Sequence, residues 1–180
     1  MKWARKLFFI VLGASLCLCI VSTVARSDTK TQIDADARFL QDAFTSSSWK
    51  LSLGNLALRQ AASEEIRRFT ELMITDQGKI NRDLKVLSDR KGIILSGDND
   101  IVHHNTITFM SKEYGAAFDR IYISLMIDEH QRDVALYRGE AEKGRDDDIK
   151  SFARKLIKRL EEYVGMAKKI LISLPTPVLK

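Results

Sequence analysis

Apolar residues recur at steps of three and four along three long stretches of the chain, which is the spacing of one face of an α-helix. These stretches predict helices over about residues 64–91, 117–143 and 147–172. The apolar/polar alternation that is typical of strands is not sustained in the sequence. The repeating positions are, in chain order, Ile66, Phe69, Met73, Gln77, Ile80, Leu84 and Leu87, then Ile123, Ile127, His130, Val134, Tyr137 and Ala141, and then Ile149, Ala153, Leu156, Leu160, Tyr163, Ala167 and Ile170.

Residues suited to helix ends support these boundaries, and a weaker pattern predicts a fourth helix before them. Ser63 and Asp146 can accept hydrogen bonds from the first turns that follow them, and Gly92 suits a helix end. The earlier helix is predicted over about 35–61, although the hydroxyl side chains of Thr45–Ser48 could interrupt it. Its apolar positions are Phe39, Leu40, Ala43, Phe44, Leu51, Gly54 and Leu58.

The lengths of the connections predict how the helices are arranged. Only a few residues separate the first helix from the second and the third from the fourth, so each pair is expected to form an antiparallel hairpin. The join between the second and third helices runs from Gly92 to Gly115, with turn residues first and a short helix expected over Ile101–Lys112. Two hairpins joined by a long crossover are the connectivity of a ferritin-like four-helix bundle, which is the predicted all-α fold.

The first 27 residues have the layout of a secretory signal peptide. A basic start is followed by 19 uncharged residues, Leu7–Ala25, and then by the small residues of Ala25-Arg26-Ser27. Cleavage is expected after Ser27, with Ala25 as the alternative, and an uncleaved segment would be an inner-membrane anchor and the only membrane contact. Both outcomes place the rest of the chain in the periplasm. The predicted domains are a signal peptide (1–27), a four-helix domain (28–174) and a C-terminal tail (175–180).

Removal of the signal peptide changes the apparent chemistry of the chain. The whole chain has 29 basic and 24 acidic residues, but four of the basic residues and none of the acidic ones lie in residues 1–27. The mature chain would have a net charge of +1, so the high isoelectric point gives no reason to expect nucleic-acid binding. Cys17 and Cys19 also leave with the signal, so the exported domain has to be held together by its core.

Four polar residues stand near the middle of the predicted helices, where apolar residues are expected. Gln77, His130 and Tyr163 occupy positions of the repeating pattern, and Lys50 lies at the margin of the apolar face of the first helix. In a bundle with this connectivity such positions can meet in one layer, which is where ferritin-like proteins hold two metal ions. We interpret the layer as a buried cluster in which imidazole, amide and phenol groups satisfy one another, with a small-ligand pocket as an alternative.

A metal site in the same layer is a further alternative, but the residue types do not favour it. A di-iron site needs several glutamates and paired Glu-x-x-His sequences, whereas the residue three positions before His130 is Ile127. Iron, manganese or zinc would therefore need an oxygen-rich site around His130. The weak candidate ligands are His130, Glu129 and Asp76, with Glu161 or Glu162 as further oxygen donors.

Several short segments occur in an order and spacing that resemble a known family over about residues 38–172. The segments are Arg38-Phe39-Leu40-Gln41-Asp42-Ala43, Leu53-Gly54-Asn55-Leu56-Ala57, Ala62-Ser63-Glu64-Glu65-Ile66-Arg67-Arg68-Phe69, Leu72-Met73-Ile74-Thr75-Asp76, Phe118-Asp119-Arg120-Ile121-Tyr122 and Met126-Ile127-Asp128-Glu129-His130. The set is similar to the exported bacterial domain-of-unknown-function family four-one-four-two, whose members are often labelled outer-membrane or periplasmic proteins. The resemblance implies a ferritin-like four-helix bundle.

The resemblance also implies a pattern at the polar layer from which this chain departs. Family members often have a glutamate in the first helix and histidines in the second, third and fourth helices. Glu129-His130 matches this pattern, whereas Lys50, Gln77 and Tyr163 stand at the other three positions. A metal or ligand role of the family would therefore be poorly supported in this chain.

The sequence contains no recognisable catalytic set, because it has no Ser/His/Asp arrangement, P-loop or dinucleotide fingerprint. The adjacent His103 and His104 in the crossover are interpreted as polar surface. We therefore expect a non-enzymatic protein without a cofactor, which binds a protein or another component of the cell envelope in envelope maintenance or stress tolerance. The alternative is a ferritin-like metal-binding or redox protein centred on His130.

Overall fold

A computed structural model describes residues 35–97 and 100–175, and the regular structure in these residues is entirely helical. The all-α prediction is therefore confirmed. The predicted signal peptide and both cleavage sites lie outside the described residues. None of the helices in the described part of the chain is long and apolar enough to cross a membrane. The helices are α1 (35–60), α2 (Glu64–Lys91), α3 (Ile101–Met110), α4 (Gly115–Lys143) and α5 (Asp147–Ser173).

The helices begin and end at the residues that local chemistry predicts. The Ser63 hydroxyl accepts a hydrogen bond from the backbone N–H of Ile66, and the Asp146 carboxylate accepts from the N–H groups of Asp148 and Ile149. Gly92 ends α2 with a φ of 67°, the left-handed conformation that glycine adopts without strain. The bounds of the three strongest sequence predictions therefore differ from the structure by no more than two residues.

The four long helices share a core with two apolar halves. The first half combines the C-terminal parts of α1 and α5 with the N-terminal parts of α2 and α4, and the second half combines the opposite ends. Because the N-terminal parts of α2 and α4 meet in one half, these two helices run in the same direction, and the crossover between them has to return along the length of the core. The first half includes Leu53, Ile66, Phe69, Met73, Tyr122, Ile123 and Met126, and the second includes Phe39, Leu40, Ile80, Leu84, Tyr137, Ile149 and Leu160.

The face of α1 that enters the core differs from the predicted one near its C-terminal end. The predicted core residues Leu51 and Leu58 are only half-buried, whereas Leu53 and Leu56 are buried. The Thr45–Ser48 run does not interrupt the helix. The prediction failed here because α1 has small and polar residues on more than one side, so the spacing alone does not single out one face.

Gly54 lets α1 approach α2 closely. A Cβ atom at this position would lie 2.8 Å from the Met73 Cε and 2.9 Å from the Ile74 Cγ1, both of which are closer than normal carbon contacts. The glycine therefore permits a close approach of the two helices, and a larger residue would require the side chains of Met73 and Ile74 to move.

The crossover contains α3, a ten-residue helix that corresponds to the short helix predicted in its second half. Met110 anchors its C-terminal end in the first core half. Nearer its start, the imidazole of His103 stacks on the indole of Trp49 in α1, with ring centroids 4.5 Å apart and planes 4° apart. His103 is therefore a packing contact between α3 and α1, which corrects its interpretation as polar surface.

Candidate functional site

The four polar residues singled out from the sequence are all buried, with exposed fractions of 0% for Lys50, His130 and Tyr163 and 1% for Gln77. They lie where the two core halves meet, and we call this set and its hydrogen-bonding partners the polar layer. Lys50, which was predicted at the margin of its helix face, has its whole side chain enclosed.

An ion pair neutralises the buried Lys50. Its Nζ lies 2.7 Å from the Oδ2 of Asp133 in α4 and 2.5 Å from the Oγ of Ser46, one turn earlier in α1. The Ser46 hydroxyl donates in turn to the Oδ1 of Asp133 over 2.7 Å. An unpaired ammonium in this position would be very costly, so Asp133 and Ser46 are the partners that make burial of Lys50 possible. Both residues were missed by the sequence reasoning.

His130 is held as a neutral imidazole. Its Nδ1 lies 2.8 Å from the backbone carbonyl oxygen of Met126, and a carbonyl can only accept, so Nδ1 carries the proton and donates. Burial and, to a lesser extent, the positive charge of Lys50 lower the pKa of His130 to about 4, although the negative charge of Asp133 and the hydrogen bond to Met126 oppose them. The Nε2 atom is then an acceptor, and no described residue donates to it.

Tyr163 joins the layer to a second carboxylate. Its ring stacks on His130 with centroids 5.0 Å apart, and its hydroxyl donates to the Oδ2 of Asp76 over 2.8 Å. Arg159 donates to the same oxygen from Nε, also over 2.8 Å. Burial raises the pKa of Asp76, but the hydrogen bonds from Arg159 and Tyr163 outweigh it and hold the pKa below its usual value. Asp76 is therefore an ionised carboxylate with two strong donors.

Gln77 has a less complete set of partners. Its backbone oxygen accepts a hydrogen bond from the Ser47 hydroxyl over 3.1 Å, but no acceptor for its side-chain Nε2 is found among the described residues. The expectation that imidazole, amide and phenol would satisfy one another was wrong. Lys50 and Tyr163 instead bond to carboxylates that the pattern of apolar positions did not reveal.

The carboxylates considered as metal ligands are dispersed or paired with cations. Glu129 contacts Arg132, while Glu161 and Glu162 form ion pairs with Arg138 and Arg159 at the surface. In residues 35–97 and 100–175, no three His, Cys, Asp or Glu side chains are grouped so that they could hold a metal ion. An ammonium at the position of a ligand also repels a cation, so the residues present do not fit a di-metal centre. The polar layer therefore consists of ion pairs whose charges cancel, with the uncharged imidazole of His130 beside them.

Comparison with known proteins agrees with the resemblance found in the sequence. Residues 22–170 match the family described as Domain of unknown function (DUF4142). The fold is also similar to the crystal structure of a DUF305 protein from Streptomyces coelicolor, which is described as secreted. The two share 17% identity with a TM-score of 0.66 over 77% of this chain and 92% of that chain. No match was found among curated proteins.

Proposed function

This chain belongs to the DUF4142 family of domains of unknown function, and from that premise we propose that it is an exported, non-enzymatic protein of the periplasm. In this proposal its helices form a ferritin-like four-helix bundle that binds another protein of the cell envelope through the crossover. The signal-like sequence of residues 1–27 supports export, and the description of the DUF305 neighbour as a secreted protein is consistent with it. If the signal is not cleaved, it is the only membrane contact.

The chemistry of the polar layer supports a structural role for the layer and a function elsewhere. The charge of Lys50 is neutralised by Asp133, and His130 has a pKa of about 4, so at neutral pH the imidazole is already uncharged. Both lie in the core, where a substrate could reach them only if the helices separated. Buried polar groups with fixed partners are suited to setting the register of neighbouring helices.

The exposed apolar side chains of the crossover are the main support for this proposal. Eight large hydrophobic side chains are exposed in the described residues, and five of them lie in the crossover, although it is a small part of the chain. Clustering of exposed apolar residues in one segment is typical of interaction sites. The five residues, which we call the crossover surface, are Ile94, Ile101, Val102, Phe109 and Tyr114.

The charges around the crossover surface favour a protein partner over a lipid surface. Helix α3 contains no lysine, arginine, aspartate or glutamate. A helix that lies on an anionic membrane has lysine and arginine along its polar face, and α3 lacks them. An uncharged apolar helix face is instead the type of surface that packs against apolar side chains of another protein.

Site-specific photocrosslinking in intact cells tests this proposal. A photoreactive benzoylphenylalanine is placed at Phe109, and in a matched strain at Leu72, an exposed apolar residue of α2 outside the crossover. We expect a discrete adduct with one envelope protein from position 109 and none from position 72. With that protein purified, Phe109→Ser should weaken binding about tenfold or more, and Leu72→Ser should leave it unchanged.

Three results would contradict the proposal. They are adducts of equal yield from both positions, adducts formed only between copies of this chain, and adducts formed only with lipid. Binding of the purified partner that is insensitive to Phe109→Ser would contradict it as well.

A further inference from the structure

A cleft of about 510 Å³ lies between α1, α3 and α4, on the outer side of the polar layer. Ser46 and Asp133, the partners of Lys50, form part of its wall. The volume is within the range of small-molecule sites and would hold a ligand of two or three amino-acid residues in size. The crossover surface contributes only Val102 to this wall, so the cleft is largely separate from the proposed protein-binding surface.

Trp49 borders the cleft and has an unused hydrogen-bond donor. Its indole is 2% exposed and is covered by the stacked ring of His103. Indole Nε1–H groups normally find an acceptor when they are buried. No acceptor for the Nε1–H of Trp49 is found among the described residues. A ligand with an exposed oxygen could provide the missing acceptor.

Three of the four carboxylates in the wall of the cleft differ in how well their charges are compensated. Asp133 is paired with Lys50, and Glu129 contacts Arg132. Asp42 is an exposed residue at the wall of the cleft, and it forms no hydrogen bond or ion pair within the described part of the chain. Burial raises the pKa of Asp42, and the charge of Arg38 one turn earlier lowers it only in part. A ligand cation beside Asp42 would therefore supply a counter-charge.

Apolar side chains complete the wall of the cleft. Val102 of α3 and Leu125 and Leu136 of α4 border it together with the ring of Trp49. A bare metal ion gains nothing from such surroundings, and the carboxylates are not grouped as metal ligands. A cation that also has an apolar part, by contrast, would use both the carboxylate and the apolar wall.

We propose that this cleft binds a primary amine with a hydrogen-bond acceptor beside its ammonium group, the chemistry that amino-acid amides share with the amino terminus of a peptide. The ammonium group pairs with Asp42, the neighbouring carbonyl oxygen accepts from the Nε1–H of Trp49, and the side chain packs against Leu125 and Leu136. This site does not depend on the crossover surface binding a protein.

The indole N–H signal of Trp49 in the NMR spectrum of the full chain is a direct probe. The chain has two tryptophans, so Trp49→Phe identifies which of the two indole signals belongs to Trp49. Leucinamide should shift this signal saturably, and N-acetyl-leucinamide, which lacks the ammonium group, should not. The amide of Leu-Ala-Ala distinguishes the two sources of such an amine, which are the amino terminus of a peptide and a free small molecule. Tighter binding than leucinamide indicates a peptide amino terminus, and weaker binding indicates a free small amine.

Matched variants test the role of the Asp42 carboxylate. Asp42→Asn should weaken leucinamide binding about tenfold or more, because a charge-assisted hydrogen bond is lost. Asp128→Asn makes the same chemical change at an exposed position of α4 outside the cleft and should leave binding unchanged. The proposal is overturned if leucinamide causes no saturable shift, if the acetylated amide binds equally well, or if Asp42→Asn has no more effect than Asp128→Asn.

Discussion

Two regions of the molecule bury carboxyl groups and stabilise them in different ways. In the polar layer, Asp133 is 4% exposed and bonds to a lysine and a serine. At the end of α4, Glu140 is 7% exposed, and its Oε1 has no hydrogen-bond partner among the described residues. Burial and, to a lesser extent, the nearby charge of Asp36 raise the pKa of Glu140 to about 7, and Lys150 only partly opposes them.

Asp36, the carboxylate nearest in effect to Glu140, has hydrogen-bond donors of its own. Asp36 accepts hydrogen bonds from the backbone N–H groups of Arg145, at 3.2 Å, and Asp146, at 2.9 Å. These donors stabilise its negative charge, which then disfavours ionisation of Glu140. A buried carboxylate with a fixed cation therefore holds helices together, whereas a buried carboxyl group beside another carboxylate makes stability depend on pH.

The largest effect is expected from breaking the buried ion pair. Asp133→Asn should lower the free energy of unfolding by about 3–5 kcal/mol, because Lys50 is left buried without a counter-ion. Urea denaturation followed by circular dichroism measures this change.

The matched control removes both charges. Because burial of an ion pair has its own desolvation cost, the double variant Lys50→Met/Asp133→Leu should regain most of the stability that Asp133→Asn loses. A single variant as stable as the native chain would show that Lys50 is not enclosed as described.

The next largest effect on stability is expected at acidic pH, and His130 causes it. Its pKa is about 4 in the folded chain and near 6.5 when unfolded, so the unfolded state binds more protons between these values. Stability should therefore fall as pH decreases from 6.5 to 4, by on the order of 3 kcal/mol. His130→Gln, which cannot titrate, should remove this part of the pH dependence. An unchanged pH profile of unfolding in the variant would contradict the assignment.

Glu140 should produce a smaller effect of opposite sign. Its pKa is about 7 in the folded chain and 4.5 in the reference state, so the folded state binds more protons between these values. This contribution to stability is present below pH 4.5 and is lost as pH rises through 7. Glu140→Gln should stabilise the chain at pH 8 by on the order of 1 kcal/mol, which is less than the pKa difference alone would give because solvent near the end of α4 screens the charge, and should leave it unchanged at pH 4. Thermal unfolding at both pH values checks this, and a loss of stability at pH 8 would refute it.

The smallest effect is expected from an exposed ion pair. Arg138 and Glu161 join α4 to α5, as Lys50 and Asp133 join α1 to α4, but their side chains are 58% and 43% exposed. Arg138→Ala should change the free energy of unfolding by less than about 1 kcal/mol. A loss comparable to that of Asp133→Asn would mean that burial is not what distinguishes the two pairs.

Much of the fold could be predicted because helix boundaries depend on residues close in sequence. Ser63, Gly92 and Asp146 cap helices through bonds to residues within the adjacent turn, so their effect is visible in the chain itself. The buried face of α1 was predicted less well, because Leu51 and Leu53 are both apolar and only packing against α2 and α4 decides between them.

The partners within the polar layer depend on contacts between residues far apart in sequence. The burial of Gln77, His130 and Tyr163 followed from their spacing, but the pairing of Lys50 with Asp133 did not. The sequence nevertheless contained an indication of this pairing. A buried lysine requires an acid, and Asp133 lies three residues after His130, on the same side of the helix. The cleft could not be predicted, because it is created by where α3 lies against α1 and α4.

We propose that the polar layer is an internally neutralised structural element rather than a metal centre. Elemental analysis of protein purified without a histidine tag, beside His130→Ala, tests it most directly. We expect no stoichiometric iron, manganese or zinc in either protein, and a variant that differs only in being less stable. Near-stoichiometric metal in the native chain that disappears in His130→Ala would contradict the claim and make this a ferritin-like metalloprotein.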